Sequence, residues 1–137
     1  MARAKVFVDT GAWVALAVEH DAHHREAAQV YPELLEGKGR LLTTNLVVAE
    51  TYILLRRLAG HGAAISFLER IEASPRIQKV YSTPQLEAEA LKILKRFSDQ
   101  DFSFTDAVSF AVMQWEGIEE AFAFDHHFRV MGFRLIP

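Results

Sequence analysis

The sequence predicts a single-domain α/β fold in which a central, mostly parallel sheet of about five strands carries helices on both faces. Three observations point there. Short apolar runs rich in β-branched and aromatic residues, such as Val6-Phe7-Val8, alternate with longer amphipathic segments, which is the pattern of β-α-β units. The short runs lack polar alternation, as expected of strands covered on both faces. No repeat, low-complexity tract or linker divides the 137 residues, and a chain of this length builds one core without staples.

In chain order, Val6-Phe7-Val8 reads as the first strand, and Gly11 to Val18 as a helical turn or two. Asp21 is placed to cap a helix from about Ala22 through Leu35, broken or kinked at Pro32 and stopped by Gly37 and Gly39. Arg40 to Thr43 forms a second strand. Asn45 then caps a helix through Val47, Glu50, Ile53, Leu54 and Arg57 toward Gly60. A helix over about Ala63 to Ala73 leads into a third strand, Ile77 to Tyr81. Pro84 opens a helix that reaches Arg96. Ser103-Phe104-Thr105-Asp106 has the capping-box pattern, and its helix runs to about Glu116. Ala121 to Phe124 is the fourth strand and Phe133 to Ile136 the fifth.

Composition excludes several classes of function. The absence of cysteine removes disulfide frameworks and thiolate zinc sites, and fits a reducing compartment. The longest apolar run, Ala12 to Val18, is seven residues and far short of a membrane span. Arg3 and Lys5 precede only three apolar residues before Asp9, so no secretory leader pattern is present and a cytoplasmic location is expected. With 15 basic against 18 acidic side chains the net charge is −3, so no global field draws the chain to nucleic acid. A polyanionic partner would need a local basic patch or a bound cation.

Doubly covered sheets bind ligands at the carboxyl ends of their strands. Two expected strands end in an acid there, Asp9 and Asp125, although either alone could simply cap the next turn. Glu50 shares helical spacing with Val47, Ile53 and Leu54, which would place it on the core-facing stripe, where an unpaired carboxylate costs several kcal/mol. Asp106 fits a capping-box acid and also heads a stripe through Phe110 and Met113. Four acids without a comparably placed lysine or arginine would repel one another, and a hard divalent cation such as Mg²⁺ or Mn²⁺ resolves that conflict. Carboxylate-held Mg²⁺ serves phosphodiester hydrolysis. Asp101 is a fifth acid, ranked lower because a loop position solvates it easily.

Other sites fit less well. His20, His23 and His24 cluster without His-Glu-x-x-His spacing, and adjacent imidazoles on a helix diverge by about 100°. No Walker loop, Gly-x-Ser-x-Gly elbow or dinucleotide fingerprint occurs. Among residues that could meet RNA, the pair Arg56-Arg57 and His126 or His127 beside Asp125 are the candidates, with a solvated helix face as the plain alternative for the arginines.

The stretches Val6-Phe7-Val8-Asp9-Thr10, Thr43-Thr44-Asn45-Leu46-Val47-Val48-Ala49-Glu50, Phe102-Ser103-Phe104-Thr105-Asp106-Ala107 and Ala123-Phe124-Asp125-His126-His127-Phe128 together resemble the PIN domain. They look in particular like the VapC-type toxins of prokaryotic VapBC toxin–antitoxin pairs. The resemblance runs from Val6 to the Gly132-Phe133-Arg134-Leu135 tail. It implies an Mg²⁺- or Mn²⁺-dependent endoribonuclease with Asp9, Glu50, Asp106 and Asp125 as its catalytic and metal-binding acids. Asp9 and Asp106 would hold the principal metal, with Glu50 and Asp125 completing the site or acting through water. Thr10, Asn45 and Thr105 match polar neighbours that orient ligands or water. The resemblance also implies a homodimer and a VapB-type antitoxin partner, and cleavage leaving 5′-phosphate and 3′-hydroxyl ends. The rival reading is a PIN-like module that binds RNA or protein without cutting.

Overall fold

Val6–Val8 (β1) lies at the centre of a five-stranded sheet, flanked by Leu41–Thr44 (β2) and Glu120–Phe122 (β4), with Ile77–Val80 (β3) and Arg134–Ile136 (β5) at the edges. The order is β3-β2-β1-β4-β5, and every pairing is parallel. The structure is a computed structural model that describes residues 5–37 and 39–137; Arg3 lies outside them. Helices α1 (Thr10–Ala17) and α2 (His24–Glu36) connect β1 to β2, and α3 (Asn45–Ala59) and α4 (His61–Ala73) connect β2 to β3. Helices α5 (Pro84–Arg96) and α6 (Phe104–Glu116) cross back to β4, and the short α7 (His127–Val130) leads to β5. Right-handed crossovers put α1–α4 on one face and α5–α7 on the other.

The centre of the sheet is dry because its sequence is apolar on both sides: all three residues of β1 are fully buried. On one face Trp13 packs edge-on against Tyr31 and Phe67, with ring centroids 6.1 and 5.7 Å away. On the other, Phe110 of α6 meets Phe102 and Phe128 edge-on, each at 5.0 Å.

The elements stand close to where the sequence puts them, with instructive departures. Helix α3 is capped by Thr44, whose hydroxyl accepts from the Val47 N–H at 3.1 Å, and not by Asn45, which is the first helical residue. The Asn45 side-chain Oδ1 instead accepts from the Ser82 N–H at 2.8 Å and ties α3 to the loop after β3. Helix α2 begins at His24, with Asp21 taking the His23 N–H at 2.8 Å. Pro32 sits inside α2 without ending it, because Pro32 and Ala28, whose carbonyl loses its partner, lie on the exposed side. Helix α7 was not anticipated; four residues give too short a pattern to read.

Candidate active site

The strand order decides where a site forms. The chain leaves β1 toward β2 on one side and leaves β4 toward β5 on the other, so a crevice opens past the carboxyl ends of β1 and β4. Asp9 follows β1 directly, and Asp125 lies three residues beyond the end of β4. Helices α1 and α3 start directly after β1 and β2, and the first turn of α6 carries Asp106, which acts on Asp9, so all three begin at this edge. Their N-terminal dipoles favour negative charge there.

Asp9 is the buried member, only 6% exposed. Its carboxyl is pushed up to about 7, first by burial and then by the charges of Asp106, Asp125 and Glu50, against the lowering effect of the Thr10 N–H. All three other acids therefore lie close enough to act on Asp9. The Thr10 hydroxyl beside it is buried, with no hydrogen-bond partner among the described residues.

Asp106 is held by a complete capping box: its N–H donates to Ser103 Oγ at 2.9 Å, and the Ser103 N–H donates to Asp106 Oδ2 at 3.0 Å. The same Oδ2 lies 3.4 Å from His127 Nδ1. Asp125 Oδ1 accepts the His127 N–H at 2.9 Å, which fixes the acid at the entry to α7. Thr105 gives its backbone carbonyl to Ser109 Oγ at 2.8 Å within α6.

Glu50 does not sit where helical spacing suggested. The buried stripe of α3 is Val47, Val48, Thr51 and Leu55, whereas Glu50 is exposed and Ile53 lies 37% exposed. At about 100° per residue, Glu50 falls roughly 110° from the centre of that stripe, on the flank facing the crevice. The burial cost assigned to Glu50 belongs to Asp9. Arg56 and Arg57, both exposed in the last turn of α3, lie roughly 9 Å farther along the helix than Glu50, away from the acids. There they complement the helix dipole.

The two histidines after Asp125 take different positions. The His126 ring is largely exposed, with Nδ1 3.7 Å from Asp125 Oδ1. It is His127 that enters the acid cluster, 8% exposed, with Nε2 2.9 Å from Asp101 Oδ1. Its Nδ1 faces Asp125 Oδ1 at 3.3 Å and Asp106 Oδ2 at 3.4 Å. Burial opposes the charged ring, but Asp125, Asp106 and the bond to Asp101 outweigh it, and its pKa is raised. Asp101 thus joins the site through His127, although its own side chain is 97% exposed. The adjacency of Asp125, His126 and His127 was visible in the sequence; which imidazole turns inward depends on the packing of His127 against Phe102, edge-on at 5.0 Å.

The sequence matches the PIN domain across residues 6–134. The chain belongs to the PIN-domain family. This PIN domain is 38% identical over 128 residues to the 23S rRNA-specific endonuclease VapC20 of Mycobacterium tuberculosis, in strains CDC 1551 / Oshkosh and H37Rv. The match covers 93% of this chain and 95% of the relative. The crystal structure of Mycobacterium tuberculosis VapC20, a sarcin-ricin loop cleaving toxin, aligns with TM-score 0.85 at the same identity and coverage. FitAcB from Neisseria gonorrhoeae aligns with TM-score 0.64 at 14% identity over 96% of both chains, a likeness of fold. The VapC-type PIN fold expected from the sequence is thereby established. Among the described residues, no helix is long and apolar enough to cross a membrane.

Proposed function

We propose that this chain is a metal-dependent endoribonuclease and the toxin half of a toxin–antitoxin pair. The observation that carries the metal reading is Asp9, a buried carboxyl pushed up to about 7 and surrounded by Asp106, Asp125 and Glu50. An all-oxygen set of this kind suits Mg²⁺ or Mn²⁺, and the partnerless Thr10 hydroxyl is a further oxygen at the same place. When bound, Mg²⁺ or Mn²⁺ supplies a Lewis acid that activates water and offsets phosphate charge in phosphodiester hydrolysis.

The residues divide that work by their surroundings. Asp9 and Asp106 would hold the ion directly, Asp9 because burial leaves its charge without water and Asp106 because the capping box fixes its rotamer. Asp125, fixed by the His127 N–H, completes the set. Glu50, exposed on the flank of α3, is free to take a proton at its carboxylate from an attacking water. Thr10 and Thr105 stand at the starts of α1 and α6, beside the acids they would help to orient, while the Asn45 amide steadies the crevice wall through Ser82. His126, exposed at the rim, is available to a substrate phosphate.

The named activity of VapC20 supports ribosomal RNA, and 23S rRNA in particular, as the substrate class. The same relationship supports an antitoxin that silences the toxin, and a homodimer is the assembly expected of such domains. The test is cleavage of total RNA and of intact ribosomes by the purified, antitoxin-free chain in Mn²⁺, beside an Asp106→Asn control. Discrete fragments with 5′-phosphate and 3′-hydroxyl ends, lost with chelator and in the variant, support the reading. Fragments ending in 2′,3′-cyclic phosphate contradict the mechanism, and binding without cleavage favours a passive PIN-like module.

A further inference from the structure

His127 has no part in an all-carboxylate site, yet it is the imidazole most fully enclosed by the acids. Its Nε2 lies 2.9 Å from Asp101 Oδ1, and an ionised carboxylate only accepts, so Nε2 carries the hydrogen. Its Nδ1 is buried and makes no hydrogen bond among the described residues. That nitrogen points between two carboxylate oxygens, Asp125 Oδ1 at 3.3 Å and Asp106 Oδ2 at 3.4 Å. A lone pair facing two anionic oxygens is repulsive unless a positive centre lies between them: a second proton on Nδ1, which finds no aligned hydrogen bond to either oxygen, or a bound cation.

The spacing suits a metal ion. Neighbouring ligands of an octahedral ion at about 2.1 Å stand about 3.0 Å apart, close to the separations of Nδ1 from both oxygens. Asp101 supplies the other half of a carboxylate–histidine–metal arrangement, in which the outer acid fixes the tautomer and aims the ring. The ring cannot swing away readily, because Phe102 packs edge-on against it at 5.0 Å and its Nε2 is held by Asp101.

We propose that His127 Nδ1 is a metal ligand, making this a mixed nitrogen–oxygen site with Asp101 as the residue that positions the ring. The inference deepens the metal-dependent reading above and rests on it. One imidazole donor tilts a carboxylate site away from Mg²⁺ and toward borderline first-row divalent ions, Mn²⁺ and beyond it Co²⁺ and Zn²⁺.

The test uses the full chain with Mn²⁺ alone as the probe, read by pulsed electron spin echo for nitrogen-14 coupling and by calorimetry for affinity. Nitrogen modulation is expected in the unsubstituted chain and in His126→Gln, and its loss in His127→Phe, which keeps a ring in place of the imidazole. Mn²⁺ affinity falls at least 10-fold in His127→Phe, and more than Mg²⁺ affinity does. His127→Asn, which offers an oxygen near the position of Nδ1, keeps Mg²⁺ binding but loses the modulation, and it covers the case in which the Phe variant does not fold. Asp101→Asn keeps the modulation and weakens Mn²⁺ binding by about 10-fold. Its melting temperature in chelator stays unchanged, since the side chain is 97% exposed. Modulation that survives His127→Phe, or that disappears in His126→Gln, overturns the assignment. Bound Mn²⁺ with no nitrogen coupling also overturns it but leaves the nuclease reading standing. No Mn²⁺ binding at all overturns both.

Discussion

Replacing Asp9 by asparagine should flatten the pH dependence of stability in the metal-free protein. The Asp9 carboxyl is raised from 3.8 to about 7, so between those values the folded chain holds a proton that the unfolded chain has released. A state that binds more protons loses ground as pH rises, so the unsubstituted chain should become less stable on passing from acid to neutral pH. At about 1.4 kcal/mol per pH unit, the loss is about 2 kcal/mol between pH 5 and pH 6.5, and about 3 kcal/mol by pH 8. For a domain of this size the larger figure corresponds to a fall of roughly 10 °C in melting temperature. His127, whose pKa is also raised, loses its contribution in the same direction but only above its ordinary 6.5. The lower window therefore isolates Asp9. The assay is thermal unfolding in chelator at half-unit steps from pH 5 to pH 8, for the chain and for Asp9→Asn. The variant should be flat below pH 6.5 and more stable than its parent at pH 8. Parallel curves for the two proteins would refute the claim that Asp9 is a desolvated acid under the influence of its neighbours.

Three further outcomes follow from the same geometry. Mn²⁺ at 100 times its dissociation constant should stabilise the chain by about 2.7 kcal/mol in thermal unfolding, and Asp106→Asn should remove most of that gain while leaving the metal-free fold intact. Phe110→Ala should cost about 3–5 kcal/mol in denaturant unfolding, because the ring is fully buried among Phe102, Phe128 and Phe133; a loss below 1.5 kcal/mol would contradict that packing. Arg56→Gln and Arg57→Gln should leave the salt dependence of RNA binding unchanged, since both residues lie away from the acids; a slope reduced by about 1 for each would place them on phosphates instead.

The sequence by itself determined the α/β class, the five strands and the order in which four acids occur, because these follow from local pattern. Three-residue apolar runs such as Val6–Val8 bury both faces wherever they pair, and the Ser103–Asp106 capping box closes within one helical turn. Whether Thr44 or Asn45 caps α3 turned on one residue of register that composition does not distinguish, since both side chains can cap. Tertiary structure alone decided which carboxyl lost its water. Helical spacing put Glu50 on the core stripe, but the face that α3 buries is set by what packs against it, and that face is Val47, Val48, Thr51 and Leu55. The crevice between β1 and β4 buries Asp9 instead, a consequence of strand order that no local window contains. The same holds for His127: residues 101, 106 and 127 are brought together by the crossing of α6 and the return through β4, and only that convergence gives Nε2 its Asp101 partner and sets Asp106 beside the nearby Asp125 in front of Nδ1.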